Sequence, residues 1–492
     1  MDDQTVVDQD DFEADMNEAM GNDGEPELVV KHTRATRWMH WINFPVLTIM
    51  IWSGLRIYWS FDVSRIPSIR FGEETLFPEG FYDVLQLDRK LARGLAFHFS
   101  FGWFFLINGV IFVTYLAASG RWRELVPTVS DFKNLWGTIM HDLGMRDECP
   151  EHAKYNAAQK IAYTSVLIMG FIALASGFAI YKPVQLGWLT RLFGGYQGAR
   201  LVHFIVSIGF VAFFGLHIVQ VARSGFNNFW TMIVGKEVAP IDPESDDEDK
   251  SEPTRVSLSE SRRSLLTGAV GVGGAFFGWR WIQNQPVDDR IPQVLRSVHD
   301  LNGNIWQSLY SETRLARTFD PSEARPIRIN GRHGIREEID LASWQMQVLN
   351  AAGDTIGTHT IEDIHALPFV EMTVEHKCVE GWSEIVTWGG TPFANFAALY
   401  SEESLSPFVG METPDEGYYV SLDRDSMMHP QTLLCWELNG EPLTSLHGAP
   451  LRLVTPLKYG IKQIKRIGSV QFTNERTRDY WGERGYDWYS GL

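Results

Sequence analysis

The sequence predicts a multidomain protein: an all-α bundle of four membrane helices with one further anchor helix, followed by an exported α+β domain. Three observations carry this. Apolar residues crowd into long runs between residues 38 and 282, whereas short and alternating apolar runs take over beyond residue 283. Acidic stretches without hydrophobic anchors, Asp2 to Glu27 and Asp242 to Glu252, read as a solvated tail and linker. The expected boundaries are an acidic tail over 1–32, the bundle over 33–225, an acidic linker over 226–260, the anchor over 261–282 and a soluble domain over 283–492. The net charge of −18 argues against a nucleic-acid partner. Three cysteines, Cys149, Cys378 and Cys435, cannot make a disulfide framework, and Cys435 sits in an apolar run that makes it core.

Four apolar stretches are long enough to span a bilayer, which takes about 20 such residues. They run from Trp38 to about Trp59, Leu91 to about Ala118, Ile161 to Tyr181 and Leu201 to about Ala222. The first 30 residues lack a positive-then-apolar signal pattern, which keeps the N-terminus in the cytoplasm. The 119–160 loop, with Arg121, Arg123, Lys133, Arg146, Lys154 and Lys160, is then also cytoplasmic by the positive-inside rule. Arg65, Arg70, Arg89 and Lys90 in the 60–90 loop pull the other way.

Each of His40, His98, His203 and His217 lies inside one of these spans. An ionisable residue in a membrane is costly and marks function by default. A single membrane histidine is as easily a polar link between helices; four that sort by depth are not. With the N-terminus inside, His40 and His217 fall near the cytoplasmic side, His98 and His203 near the outer side. His203 and His217 lie fourteen residues apart on one helix, nearly on one face and about 21 Å along its axis. Two bis-histidine haem b sites, one per leaflet, are the simplest chemistry for two depth-matched pairs.

The same section resembles the di-haem cytochrome b subunits of nickel-iron hydrogenases and formate dehydrogenases over roughly residues 33–225. The resembling residues are Thr36-Arg-Trp-Met-His-Trp41, Trp52-Ser-Gly-Leu55, Lys154-Tyr-Asn-Ala-Ala-Gln-Lys160, Arg200-Leu-Val-His203 and His217. The resemblance implies electron exchange with the quinone pool and the haem pairing that depth gives.

Beyond the linker, Ser261-Arg-Arg-Ser precedes an apolar run to Trp279, short for a span unless Trp281 and Ile282 extend it. It looks like an internal twin-arginine export signal, retained as an anchor. An ordinary fifth span with a positive-inside flank gives the same topology. Either places residues 283–492 on the periplasmic, outer face of the cytoplasmic membrane.

In the exported domain, Trp344–Val348, Val370–Val374, Gly417–Ser421, Leu451–Val454 and Ser469–Thr473 read as strands, with short helical or turn segments at Pro392–Leu399 and Pro430–Leu434. Its chemistry centres on Cys378, in Cys-Val-Glu-Gly-Trp-Ser followed by Trp-Gly-Gly-Thr-Pro392. A lone cysteine is most often a small buried hydrophobe, but a thiolate is also a soft metal ligand. The segment resembles the metal-ligand region of the sulfite oxidase superfamily, and within it the catalytic subunit of periplasmic methionine sulfoxide reductase, over most of residues 325–485. The resemblance implies that Cys378 binds the molybdenum of a molybdenum–molybdopterin cofactor. It further implies cofactor contacts at Asn330, His333, Thr413, His447, Arg452 and the Gln463-Ile464-Lys465 segment beside the pterin phosphate. His447 stands where close relatives have asparagine, and His333 departs from an aromatic pattern. An arginine fork and a lysine suit a phosphate, whereas either alone is more often a solvated surface charge.

The expected function is a membrane-anchored oxidoreductase joining the quinone pool, two b haems and an external molybdenum centre, reducing a small-molecule or peptidyl S- or N-oxide. Two alternatives stand beside it: a sulfite-type dehydrogenase running the circuit backwards, and a non-enzymatic electron conduit.

Overall fold

The computed structural model describes residues 28–30, 32–58, 60, 80, 84–87, 91–142, 144–148, 150, 155–223, 229, 231–233, 235–238, 274 and 277–492. Residues 1–27 of the acidic tail, most of the 226–260 linker, Cys149 and the Arg262-Arg263 pair lie outside the described residues, although 277–283 are helical.

Among the described residues of the first half, the long helices are α1 (Arg34–Tyr58), α2 (Leu91–Ser119), α3 (Val129–Asp142), α4 (Ala157–Tyr181) and α5 (Tyr196–Arg223). Their starts are written in the sequence. Thr128 and Asp131 cap α3 reciprocally, and Asn156 and Gln159 do the same for α4, so the first orphan N–H groups of each helix are satisfied. Among the described residues three helices, α2, α4 and α5, are long and apolar enough to cross a membrane. With 25 residues α1 has the length, about 37 Å at 1.5 Å per residue, while His40, Asn43 and Arg56 lower its hydropathy below that of the other three. The amphipathic α3, with Phe132 and Trp136 exposed, is an element the sequence reading passed over.

The chain divides into two compact units. The first holds the described residues of Met1–Leu47, Ile107–Ala162 and Val211–Gln283; the second holds those of Thr48–Leu106, Tyr163–Phe210 and Asn284–Leu492. In the first unit, Leu28–Val30 pairs antiparallel with Lys236–Val238. Trp41 Nε1 donates to Met232 O at 3.2 Å, Asn108 Nδ2 to Met39 O at 3.2 Å, and Lys160 pairs with Asp131 at 3.1 Å.

The second unit contains the strand-rich region. Its strands are β1 (Met346–Leu349), β2 (Thr355–His359), β3 (Val370–Lys377), β4 (Ser383–Pro392), β5 (Phe408–Glu412), β6 (Tyr419–Asp423), β7 (Leu433–Leu438), β8 (Arg452–Val454) and β9 (Ser469–Thr473). One sheet has the order β6-β5-β9-β1-β2, with β9 and β1 parallel. In the other, β7 pairs with β4 and with β8, and β4 pairs antiparallel with β3. The five expected strands are present to within a few residues. β2, β4, β5 and β7 were not expected, and Leu433–Leu434 opens β7 rather than ending a turn. A core of Trp344, Met346, Phe393, Phe396, Val409, Leu453 and Phe472 backs the first sheet, and Trp388 and Cys435 lie in a second core at the other.

Preceding the strands, α6 (Gln293–Ser308) buries Leu295, Arg296, His299, Asn302, Gly303 and Trp306, one face at helical spacing. Within the same unit the ends of α2, α4 and α5 meet this region. Trp103 Nε1 donates to Asn302 Oδ1 at 2.8 Å, Lys182 Nζ to Gly491 O at 2.6 Å, and Gln197 Nε2 to Ser383 Oγ at 2.7 Å.

Candidate metal and cofactor centres

The antiparallel register of β3 and β4 runs from Val370 opposite Gly390 to Lys377 opposite Ser383, so the five residues between them form the hairpin loop, and Cys378 begins it. Cys378 N donates to Trp382 O at 3.0 Å and Gly381 N to Cys378 O at 2.9 Å. The turn needs the positive φ of +91° that Gly381 supplies. A Cβ there would also lie 2.7 Å from Arg200 Nη2 of α5, so glycine permits that close approach.

Cys378 is only 4% exposed. Burial, then Glu380, pushes its thiol up to about 12, so a thiolate forms there only with a compensating metal or cation. Asn330 Nδ2 lies 3.7 Å from its sulfur. Among the described residues no three His, Cys, Asp or Glu converge as a metal cluster, so a metal on Cys378 would take its other ligands from an organic frame.

Next to the hairpin, buried Arg452 lies over the Trp388 ring at 4.5 Å, and its Nη1 donates to His447 O at 3.0 Å. Its Nε has no hydrogen-bond partner among the described residues, and burial lowers its pKa to about 10. Lys465 Nζ donates to the carbonyls of Asn330, Gly331 and Leu446; burial, then Arg452, brings it down to about 7. Burial and the charge of Arg452 also bring His376 down to about 3. Among the described residues no carboxylate pairs with Arg452 or Lys465. A buried cation without a counter-ion, such as Arg452, costs roughly several kcal/mol, and an anionic ligand such as a pterin phosphate, reached also by the half-buried Lys465, is the group that offsets this. The residues fit the cofactor.

The remaining expected contacts divide. His333 stands in an aromatic box, with Tyr480 at 4.8 Å, Trp481 at 6.0 Å and Tyr418 at 6.4 Å between ring centroids. Thr413 sits against Gly334, but its hydroxyl is committed to the 413–418 turn, donating to Asp415 Oδ1 and accepting from Tyr418 N. Gln463 Nε2 is spent on Thr455 O and Lys458 O, and the Ile464 side chain is core.

The four helical histidines form the expected pairs. His40 and His217 have ring centroids 6.0 Å apart, and His98 and His203 6.2 Å apart. Two metal–nitrogen bonds of about 2 Å plus the ring radii span roughly 6 Å, so each pair has room for one iron. In the second pair the ring orientation is fixed: His98 Nδ1 is 3.0 Å from Ser53 Oγ, and His203 Nδ1 is 3.0 Å from Ser176 Oγ and 3.1 Å from Ala173 O. That leaves each Nε2 for the metal. A Cβ at Gly177 would sit 3.3 Å from His203 Cε1, so the small residue leaves the ring its space. In the first pair His40 Nδ1 has no hydrogen-bond partner among the described residues, and His217 stacks on Phe213 at 5.7 Å.

Sequence reasoning missed Arg56. It is fully buried beside the Trp52 ring at 4.6 Å, and none of its three guanidinium nitrogens has a hydrogen-bond partner among the described residues. It neighbours Gly94, four residues before His98, where a haem propionate would satisfy it. The signal was present, an arginine inside an apolar span next to Trp52-Ser-Gly-Leu55, and reads as function by the rule that flagged the histidines.

Comparison with known proteins agrees with both halves. Residues 31–235 match the family of prokaryotic cytochrome b561, and residues 333–481 the oxidoreductase molybdopterin binding domain. The YedZ1 subunit of Azospira oryzae, whose assignment to a protein-methionine-sulfoxide reductase is provisional, is 33% identical over 207 residues, 42% of this chain and 78% of that protein. The protein-methionine-sulfoxide reductase catalytic subunit MsrP of Campylobacter jejuni is 30% identical over 163 residues, 30% of this chain and 54% of the relative. MsrP of Xanthomonas axonopodis pv. citri is 36% identical over 157 residues, 29% of this chain and 49% of the relative, so the chain spans about half of each catalytic subunit. The chain belongs to the prokaryotic cytochrome b561 family through its helical half and to the molybdopterin-binding oxidoreductases through its strand-rich half, and is a multi-pass membrane oxidoreductase dependent on molybdenum.

Proposed function

We propose that the protein reduces sulfoxides or related S- or N-oxides with electrons drawn from quinol. They pass through an inner b haem on His40 and His217 and an outer b haem on His98 and His203 to a molybdenum centre on Cys378. The observation that carries the reading is the Cys378 loop: a buried thiol met by Asn330, whose carbonyl accepts from the half-buried Lys465, with buried Arg452 acting on Lys465 and neither cation paired with a carboxylate among the described residues. When bound there, molybdenum with its pterin supplies two-electron oxygen-atom transfer, and haem supplies single-electron steps.

This chain's residues do the rest. Arg452 and Lys465 hold the anionic end of the pterin, and His447 and the Gln463–Lys465 backbone flank it. Asn330 hydrogen-bonds the sulfur of Cys378, and the His333 box closes an aromatic wall on the site. In the overall step the sulfur–oxygen bond breaks, and a sulfoxide, two electrons and two protons become a sulfide and one water. A neutral oxide suits the charges acting on Cys378, where Glu380 opposes Arg328; a sulfite dianion calls for converging cations. The names borne by the relatives point to the same substrate class. Export of residues 283–492 through the Arg262-Arg263 segment would put this site on the outer face.

The test uses reduced, haem-loaded protein challenged with methionine sulfoxide, N-oxides and sulfite. Reoxidation of the haems by an oxide is the expected result. Rapid haem reduction of oxidised protein by sulfite, with no reoxidation by any oxide, would reverse the assigned direction.

A further inference from the structure

A cavity of about 40 Å³ lies within the second unit, lined by Phe99, Tyr181, His299, Val379, Tyr459 and Tyr486 among others. Val379 follows Cys378 in the chain and Phe99 follows His98, so the cavity's walls include the neighbours of both ligands. His299 is 2% exposed, and among the described residues neither of its ring nitrogens has a hydrogen-bond partner, nor has the buried Tyr181 hydroxyl. Each such group is costly if left dry. A water needs roughly 10–15 Å³ and two to four polar partners, so the space suits about three waters and its lining offers the partners.

We propose that this cavity is a water-filled proton relay in which His299, backed by Asp487, passes the protons consumed by reduction at Cys378. The inference rests on the oxide-reduction reading, whose balance requires two protons for every two electrons. Asp487 also lines the cavity, and its carboxylate is fixed by N–H donors from Tyr489 at 3.0 Å and Ser490 at 3.1 Å. Burial brings His299 down to about 4, Asp487 works against that shift, and Arg296 adds to it. Arg296 itself is committed to Tyr486 O, Gly482 O and Asp289. Lys182 is held by Gly491 O, and Tyr181, Tyr459 and Tyr486 are the other titratable groups at the walls. A neutral imidazole has one N–H to give and one lone pair to receive. It therefore hands a proton from one water to the next without storing it.

The experiment needs no oxide. Holoenzyme is reduced by flash photoreduction, and electron passage from haem to molybdenum is followed by haem absorbance and molybdenum EPR, in ordinary and in heavy water. Wild-type passage is expected to slow two- to threefold in heavy water. His299→Phe should keep haem and molybdenum content and the rate of haem reduction, yet slow the passage about tenfold or more. Unchanged passage and isotope effect in His299→Phe would overturn the relay. If that variant loses either cofactor, Tyr181→Phe, which removes one hydroxyl, decides by the same readings: slowed passage supports the relay, and wild-type kinetics overturns it. A holoenzyme that behaves as expected here but reacts with no oxide would retire the substrate reading and leave the relay standing.

Discussion

Arg56 among the helices and Arg452 among the strands are prepared in the same way. Each guanidinium is buried against an indole, 4.6 Å from Trp52 and 4.5 Å from Trp388, and neither has a carboxylate partner among the described residues. They differ in what surrounds them. Arg452 lies with Lys465 and the neutral His376, a setting suited to a phosphate, while Arg56 lies on the helix whose Ser53 orients His98, one of a histidine pair with rings held by neutral serine and carbonyl groups. The strand-rich region offers a ligand charge, and the helical one offers it paired rings, with one cation to spare for a carboxylate.

The largest expected effect is loss of a whole haem. His203→Ala should remove the outer haem and keep the inner one, and His217→Ala the converse, as read by quantitative haem analysis. If either change removed neither haem, or if His40→Ala and His98→Ala removed the same one, the pairing would be wrong. The two arginines come next. Arg452→Met should empty the protein of molybdenum and leave its haem content alone. Arg56→Met should weaken only the outer haem, by roughly 10–100-fold, the usual cost of a lost supporting group. Metal and haem content of both variants would break the comparison if the losses were swapped or shared.

The pH dependence sharpens it further. Lys465 is depressed from its usual 10.5 to about 7. Between those values the folded, cofactor-free protein binds fewer protons than the unfolded chain, so its stability rises with pH across that window. Anion binding restores the charge of Lys465, so retention of the pterin should fall above pH 7, by up to about tenfold per pH unit. Haem retention should stay level over the same range. The smallest effect is that of Ser176→Ala, which leaves His203 Nδ1 its bond to Ala173 O. A weakening of the outer haem by about 0.5–1.5 kcal/mol is expected, measured by competitive haem transfer.

The sequence reveals ligands better than it reveals their settings. Cys378 and the four histidines are visible because each is a residue type out of place: a thiol in a cysteine-poor chain, imidazoles in apolar runs. Depth in the spans then sets the pairing, and residues fourteen apart, as His203 and His217 are, lie nearly on one face. The supporting groups are hidden because their roles depend on contacts distant in sequence. Ser176 meets His203 from another helix, and Asn330 reaches Cys378 from 48 residues away. Strands β4, β5 and β7 were missed because they are buried on both faces or broken by glycine, as at Gly389-Gly390 and Gly410, which hides the two-residue alternation. Thr413 shows the opposite failure: a motif position whose hydroxyl is already used by its own turn.

The central claim is that electrons leave the haems through Cys378 to an oxide. The most direct measurement is the reoxidation rate of reduced haem after mixing with methionine sulfoxide, for the wild-type chain and for Cys378→Ala. The wild type should reoxidise while the variant, equally haem-loaded, stays reduced. Equal reoxidation of both, or haem reduction by sulfite with no response to any oxide, would contradict it.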